Sequence, residues 1–534
     1  MSRLSRRRFL GKTAIGLAGL GIGIARPRAA FADPAWADLP SGIWPPGFQG
    51  YKVLEIHLFG GMAPFESFYY RDDAGLRTRG FDTEIQNLNW NGVCANAPAG
   101  LELQEFSTDS NDKELHLGPF SKPLWRQDIR RRMRVLVQRH NLMPHEAAIP
   151  LTQTGLRLGR PTFASTGAAV QHRRSALDQE AAIDRALPHS YALLPENGSL
   201  GSLFTLVQQV QGAIGMHPGS ARPLVLRIGT GLGDFVAQLD RANLGTGKDA
   251  VNALIDQYRG QYRDWLRFQA TTTLTRSNAF RDYDTAASRL LGAEVLKDLL
   301  VDAPQTINPG PTCAREGADP FSNPDNPTKT ALEFAAFLLT RPAEEAASSV
   351  FVLDSGLVRT GLPYDVHNFN HAGDTGSNLV NLLNSLVSVI KDPANPAPGD
   401  DSRIDLANTL IVINTEFGRT PFKSDMNAPD ATSLGRDHWP DAYVTVLMGG
   451  PIPDVVDGTI HRVVGSISDA AALGAVADGP LYSATDMRAA LLVAAGIHPF
   501  AAENFALGQI TASLVGVDHT ETIENLRETL LGVA

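Results

Sequence analysis

The chain has 534 residues, enough for one large domain or two ordinary ones, and its 43% apolar and 19% charged content is that of a folded globular protein. A formal net charge of −10 excludes nucleic acid or an anionic membrane as the default partner. With Cys94 and Cys313 as its only thiols, the chain can build neither a disulfide-dense scaffold nor a cysteine metal knuckle, although the two can pair in an oxidising compartment.

Residues 1–32 stand apart. Ser5-Arg-Arg-Arg-Phe-Leu10 carries consecutive arginines, a mildly apolar Gly-rich run follows to Ala25, and Ala30-Phe31-Ala32 is a small-residue cleavage pattern. These three parts in order form a twin-arginine export signal, with an apolar run too short to span a bilayer. The expected location is periplasmic or secreted, reached through the twin-arginine machinery. Removing the signal leaves 40 basic against 57 acidic residues. No later apolar stretch approaches the ~18 residues of a transmembrane helix.

Residues 33–50, rich in Pro, Gly and Trp, read as a linker into a single domain over 51–534. Tyr51 to Phe59 is the first core strand, closed by Gly60-Gly61, with Glu66 and Ser67 in the loop beyond. Met133 to Gln138 predicts a second strand, leading into a loop that carries His140, His145 and Glu146 and ends at Thr154-Gly155. Leu224 to Ile228 predicts a third; the Gly229, Gly231 and Gly233 behind it lack the spacing of a dinucleotide fingerprint. A mainly helical insertion is expected at about 235–345, including an aromatic packing stripe at Tyr258, Tyr262 and Trp265.

Further strands are predicted at Val350–Leu353, Thr409–Asn414 and Tyr443–Met448, and helices at Thr330–Leu339, Ser377–Lys391 and Thr485–Ala495. Strands alternating with helices predict an α/β fold: a doubly wound, mostly parallel sheet with helices on both faces. In such sheets ligands sit beyond the carboxyl ends of the strands. The polar groups fall there: Glu66; His145; Asp365 with His367 and His371; and the pair of clusters Glu416–Arg419 and Arg436–His438. Imidazoles mixed with carboxylates suit a divalent ion, zinc first, with Mn, Mg and Ca open.

The turns Glu416-Phe-Gly-Arg-Thr-Pro421 and Gly435-Arg-Asp-His-Trp-Pro440, with Leu58-Phe-Gly-Gly61 and Asp365-Val-His367 upstream, resemble those of the DUF1501 family of exported proteins. That family is in turn similar to the alkaline phosphatase and sulfatase superfamily. The resemblance implies an alkaline phosphatase-like sheet and a metal-dependent hydrolase of phosphate or sulfate esters. It places Asp365, His367 or His371, and His438 around a first ion. For a second ion, Glu66 and Glu416 supply acids, but Phe417 stands where a histidine belongs. The nucleophile's place, about nine residues before the Thr-Gly turn, is held by His145 rather than a hydroxyl; Ser67, Thr152 or Thr154 are the substitutes.

On this reading His145 acts as base or nucleophile, and Arg419 and Arg436 pair with a tetrahedral oxyanion unless they are structural salt bridges. The partner is a small-molecule or glycan ester substrate. The missing hydroxyl and Phe417 motivate the alternative, a non-catalytic exported binding protein on the same scaffold.

Overall fold

The computed structural model describes residues 39–71 except 47, 49 and 66, 103–155, 165–180, 190–195, 223–225, scattered positions between 250 and 261, 327–356 except 343–345, 364, 365, 367, 371–420, 437–455, 462–500 except 472, 473 and 480, and 519–533. Residues 1–32, where the export signal is expected, Glu66, Arg436, both cysteines and most of the expected helical insertion lie outside them.

Eight strands form the central sheet: β1 (Lys52–Leu58), β4 (Met133–Gln138), β5 (Tyr191–Leu194), β6 (Leu224–Val225), β7 (Ser349–Asp354), β8 (Thr409–Thr415), β11 (Tyr443–Gly449) and β12 (Val463–Val464). Three two-stranded ribbons complete the numbering: β2 (Gln104–Thr108) with β3 (Glu114–Leu117), β9 (Gly418–Arg419) with β10 (His438–Trp439), and β13 (Ser466–Ala471) with β14 (Gly474–Asp478). The sheet order is β12-β4-β11-β8-β1-β7-β5-β6. β11 runs antiparallel to both β4 and β8, and the remaining pairings are parallel. The sheet is thus mixed but mostly parallel, with β11 as its reversed strand.

The central strands are buried on both faces, which is why they read as near-continuous β-branched runs. On one face Leu54, Ile56, Leu58, Ile411 and Ile413 pack with Leu332, Phe334, Leu382 and Leu386. These belong to helices α3 (Pro327–Thr340) and α4 (His371–Ser388). On the other, Val53, Leu410 and Val412 meet Val170, Leu491 and Val493 of α2 (Thr166–Glu180) and α5 (Ala484–Ala494). Residues 39–46 lie on this second layer: Ile43 is buried, and Trp44 Nε1 donates to the carbonyl of Val493 at 2.9 Å.

Two expected loops are helical. α1 (His145–Thr154) begins at His145 itself, and Gly155 at φ 72° forms a left-handed C-cap whose N–H returns to the Leu151 carbonyl. Pro150 inside this stretch disguised the helix; lacking an N–H, it forgoes one bond of the ladder, to the carbonyl of Glu146. His371 likewise opens α4 instead of ending a loop.

A carboxylate ringed by imidazoles

Four chain segments converge at one edge of the sheet. β1 leads into Phe59-Gly60, β8 leads into Glu416, and the Tyr364-Asp365 segment follows β7. The reversed β11 brings its amino end, and His438 before it, to the same edge. The β9–β10 ribbon joins the two charged turns by pairing Arg419 with His438, and Thr420 N donates to the Asp437 carbonyl at 3.1 Å. Sequence-distant motifs therefore share one short ladder.

Asp365 is the hub. Its Oδ2 lies 3.2 Å from His145 Nε2, and its Oδ1 lies 3.0 Å from His438 Nε2 and 3.1 Å from His367 Nε2. Arg419 Nη2 donates to the same Oδ1 at 2.6 Å and to the Gly60 carbonyl. Burial would raise the Asp365 pKa, but hydrogen bonds to the three histidines and the Arg419 charge overcome it and hold the carboxyl far below the usual range.

Each ring's other nitrogen is tied to an acceptor. His145 Nδ1 meets Glu416 Oε1 at 2.7 Å, His438 Nδ1 meets the Met143 carbonyl at 3.0 Å, and His367 Nδ1 meets Asp437 Oδ1 at 3.2 Å. Carbonyls and carboxylates only accept, and Asp365 is itself a carboxylate, so each ring is satisfied either by a proton on both nitrogens or by a proton on Nδ1 with a metal ion at Nε2. A lone pair aimed at a carboxylate needs a cation, proton or metal, between them. Metal-ligating histidines usually have their second nitrogen anchored in this way.

The ligand atoms of His145, Asp365 and His438 all lie within 4.8 Å of one another, so this trio could hold a metal ion. Two ligands ~2.1 Å from one tetrahedral ion stand about 3.4 Å apart, close to the separations seen here. His367 is nearby but half-exposed. The remaining expected residues fall in other roles. Glu416 sits behind His145 rather than beside Asp365. Its Oε1 also accepts from Gly60 N at 2.7 Å, and His140 Nε2 donates to its carbonyl at 2.6 Å. Arg419 is buried and committed to Asp365 and main-chain carbonyls. The side chain of His371 and the whole of Glu66 and Arg436 lie outside the described residues.

Apolar rings close the site. Phe417 stacks on His438 with centroids 4.2 Å apart and stands 4.9 Å from His145, and Phe59 stacks on His145 at 5.0 Å. The substitute hydroxyls are used locally: Ser67 donates to the Ala63 carbonyl at 2.8 Å, Thr152 to Ile149 at 3.2 Å and Thr154 to Pro150 at 2.6 Å. Sequence reasoning missed His57 and Gln153, which stand behind Glu416. The signal was present, because Glu55 and His57 interrupt an otherwise apolar strand on one face.

The family model described as protein of unknown function (DUF1501) matches residues 133–523, well over half of the chain, and the protein belongs to that family. No curated protein and no solved structure matches it.

Proposed function

We propose that this is an exported, metal-dependent hydrolase of phosphate or sulfate esters. The observation that carries the reading is the convergence of His145, His367 and His438, Nε2 inward, on Asp365. His145, Asp365 and His438 would hold the ion, and His367 would border it. The ion would supply Lewis acidity toward an ester oxygen or an attacking water. Arg419 keeps Asp365 ionised and oriented, while Phe59 and Phe417 limit water around the rings. The superfamily likeness and the twin-arginine pattern at Arg6–Arg8 belong to this proposal; the mostly parallel, helix-covered sheet with its polar edge supports the former.

The test is metal content after purification without chelator, followed by turnover of aryl phosphate and aryl sulfate esters. Stoichiometric metal and turnover lost in His438→Ala support the proposal. Folded protein that takes up no divalent ion and is inert on both esters sinks it.

One observation favours the second reading, a non-catalytic exported binding protein for a glycan or ester ligand. Ser67, Thr152 and Thr154 all spend their hydroxyls on main-chain carbonyls. On that reading metal binds without turnover, and His145→Ala and His438→Ala leave the phenotype of the producing cell unchanged.

A further inference from the structure

Behind His145 a buried file of polar groups runs into the helical layer. Glu416 divides its oxygens: Oε1 takes His145 Nδ1 and Gly60 N, while Oε2 accepts from Thr415 Oγ1 at 3.3 Å and faces His57 Nε2 at 3.4 Å. His57 is fully buried, and its Nε2 makes no hydrogen bond among the described residues beyond this ion-pair contact with Glu416. Its Nδ1 is met by the side-chain amide nitrogen of Gln153. An amide nitrogen only donates, so Nδ1 accepts and the ring proton sits on Nε2, toward Glu416.

Gln153 lies in the last turn of the helix that His145 begins, and its carbonyl accepts from the buried Arg488 Nη1 at 3.3 Å. Core packing does not call for this arrangement. A leucine and a methionine would fill the same space without the desolvation cost of a buried imidazole, amide and carboxylate. What the file adds is orientation. Glu416, gripped on both oxygens, can present Oε1 to His145 in only one plane.

We propose that His57, held by Gln153, is a positioning residue for the ion centre: it fixes the Glu416 carboxylate and thereby the tautomer of His145 that turns Nε2 toward Asp365. This rests on the metal reading above. Outer partners of metal-bound histidines set affinity by about 10–100-fold.

The experiment titrates Co2+ into metal-free wild type, His57→Leu, His57→Gln and Gln153→Leu, recording affinity and the visible spectrum. Imidazole 1H–15N spectra of the metal-free proteins, recorded at a pH alkaline enough to leave the His145 ring neutral, report which nitrogen keeps its proton. His57→Leu and Gln153→Leu should weaken Co2+ by about 10–100-fold and shift the spectrum, with mixed His145 tautomers. His57→Gln, whose amide can still donate to Glu416, should recover most of the affinity. If His57→Leu does not fold, Gln153→Leu, which leaves the ring in place, carries the measurement. Folded leucine variants with wild-type affinity and an unchanged His145 tautomer overturn the proposal. A wild type that takes up no Co2+ sinks the metal reading instead, and the tautomer spectra alone then decide whether His57 positions His145.

Discussion

His438 Nε2 and Asp365 Oδ1 come from segments 73 residues apart and lie 3.0 Å from each other. Neither turn alone makes a site. The β9–β10 ladder sets His438 opposite Arg419, and Arg419 in turn holds Asp365, so both the imidazole and the carboxylate are placed by one ribbon.

Asp365 balances a buried guanidinium, so its removal should cost more than metal. Asp365→Ala takes from the buried Arg419 the carboxylate it pairs with, and breaking such a pair costs about 3 kcal/mol. Metal uptake should fall below detection at the same time. Asp365→Asn keeps an oxygen for Arg419 and should lose metal with a smaller drop in stability. Denaturant melts and metal analysis on the two variants check this; equal stability losses would count against it.

Gly60 separates strain from geometry. It sits at φ 121°, its N–H donates to Glu416, and a methyl there would overlap the main chain of Asp365. Gly42 also has positive φ, at 97°, but has open space around it. Gly42→Ala should cost about 1 kcal/mol and leave metal affinity alone. Gly60→Ala should cost more and weaken metal at least about tenfold by displacing Asp365. Calorimetric titration of both proteins distinguishes the two effects.

The sheet was legible because strands buried on both faces must be apolar throughout, as Leu410 to Ile413 are. The reversal of β11 was not, since Tyr443 to Met448 would read the same in either direction. Asp365 and His438 were legible as polar groups at strand ends. The role of Glu416 was not, because chain position cannot distinguish a carboxylate that touches an ion from one that orients a histidine. His57 was overlooked for a related reason: a polar residue inside a core strand has meaning only once its neighbour across the sheet is known. That neighbour is Asn414 on β8, in register with His57 and two residues before Glu416.

Phe417 should matter beyond its bulk. It is fully buried and lies against both His438 and His145. Phe417→Ala should cost about 3–5 kcal/mol, as large buried truncations do. Phe417→Leu, closer in volume, should cost about 1–2 kcal/mol yet still weaken metal, because a branched side chain cannot keep the His438 ring flat. Thermal melts with and without Mn2+ separate the terms. A Phe417→Leu protein with wild-type Mn2+ affinity would show that the ring serves packing alone.

The pH dependence follows from His145. Burial lowers its pKa, but hydrogen bonds and charges from Asp365 and Glu416 outweigh that and raise it from about 6.5 to about 9 in the metal-free protein. A folded value above the unfolded one stabilises the fold fully below about pH 6.5, and that contribution is lost as the pH rises through about 9. A rise of that size is worth roughly 3 kcal/mol of stability. Asp365 and Glu416 are shifted downward, so their contributions are present above about pH 4 and are lost as the pH falls below it. Metal-free protein should therefore be most stable near pH 5–6.5 and weaken steadily toward pH 9. Metal reverses the alkaline limb, because the ion must displace the proton on Nε2. Apparent Mn2+ affinity should climb up to tenfold per pH unit and level off near pH 9. Urea melts across pH 5–10, with and without Mn2+, read both limbs. Metal-free stability that stays flat from pH 6.5 to 9 would mean that His145 carries no second proton in the native state, and the pair it forms with Asp365 would need another origin.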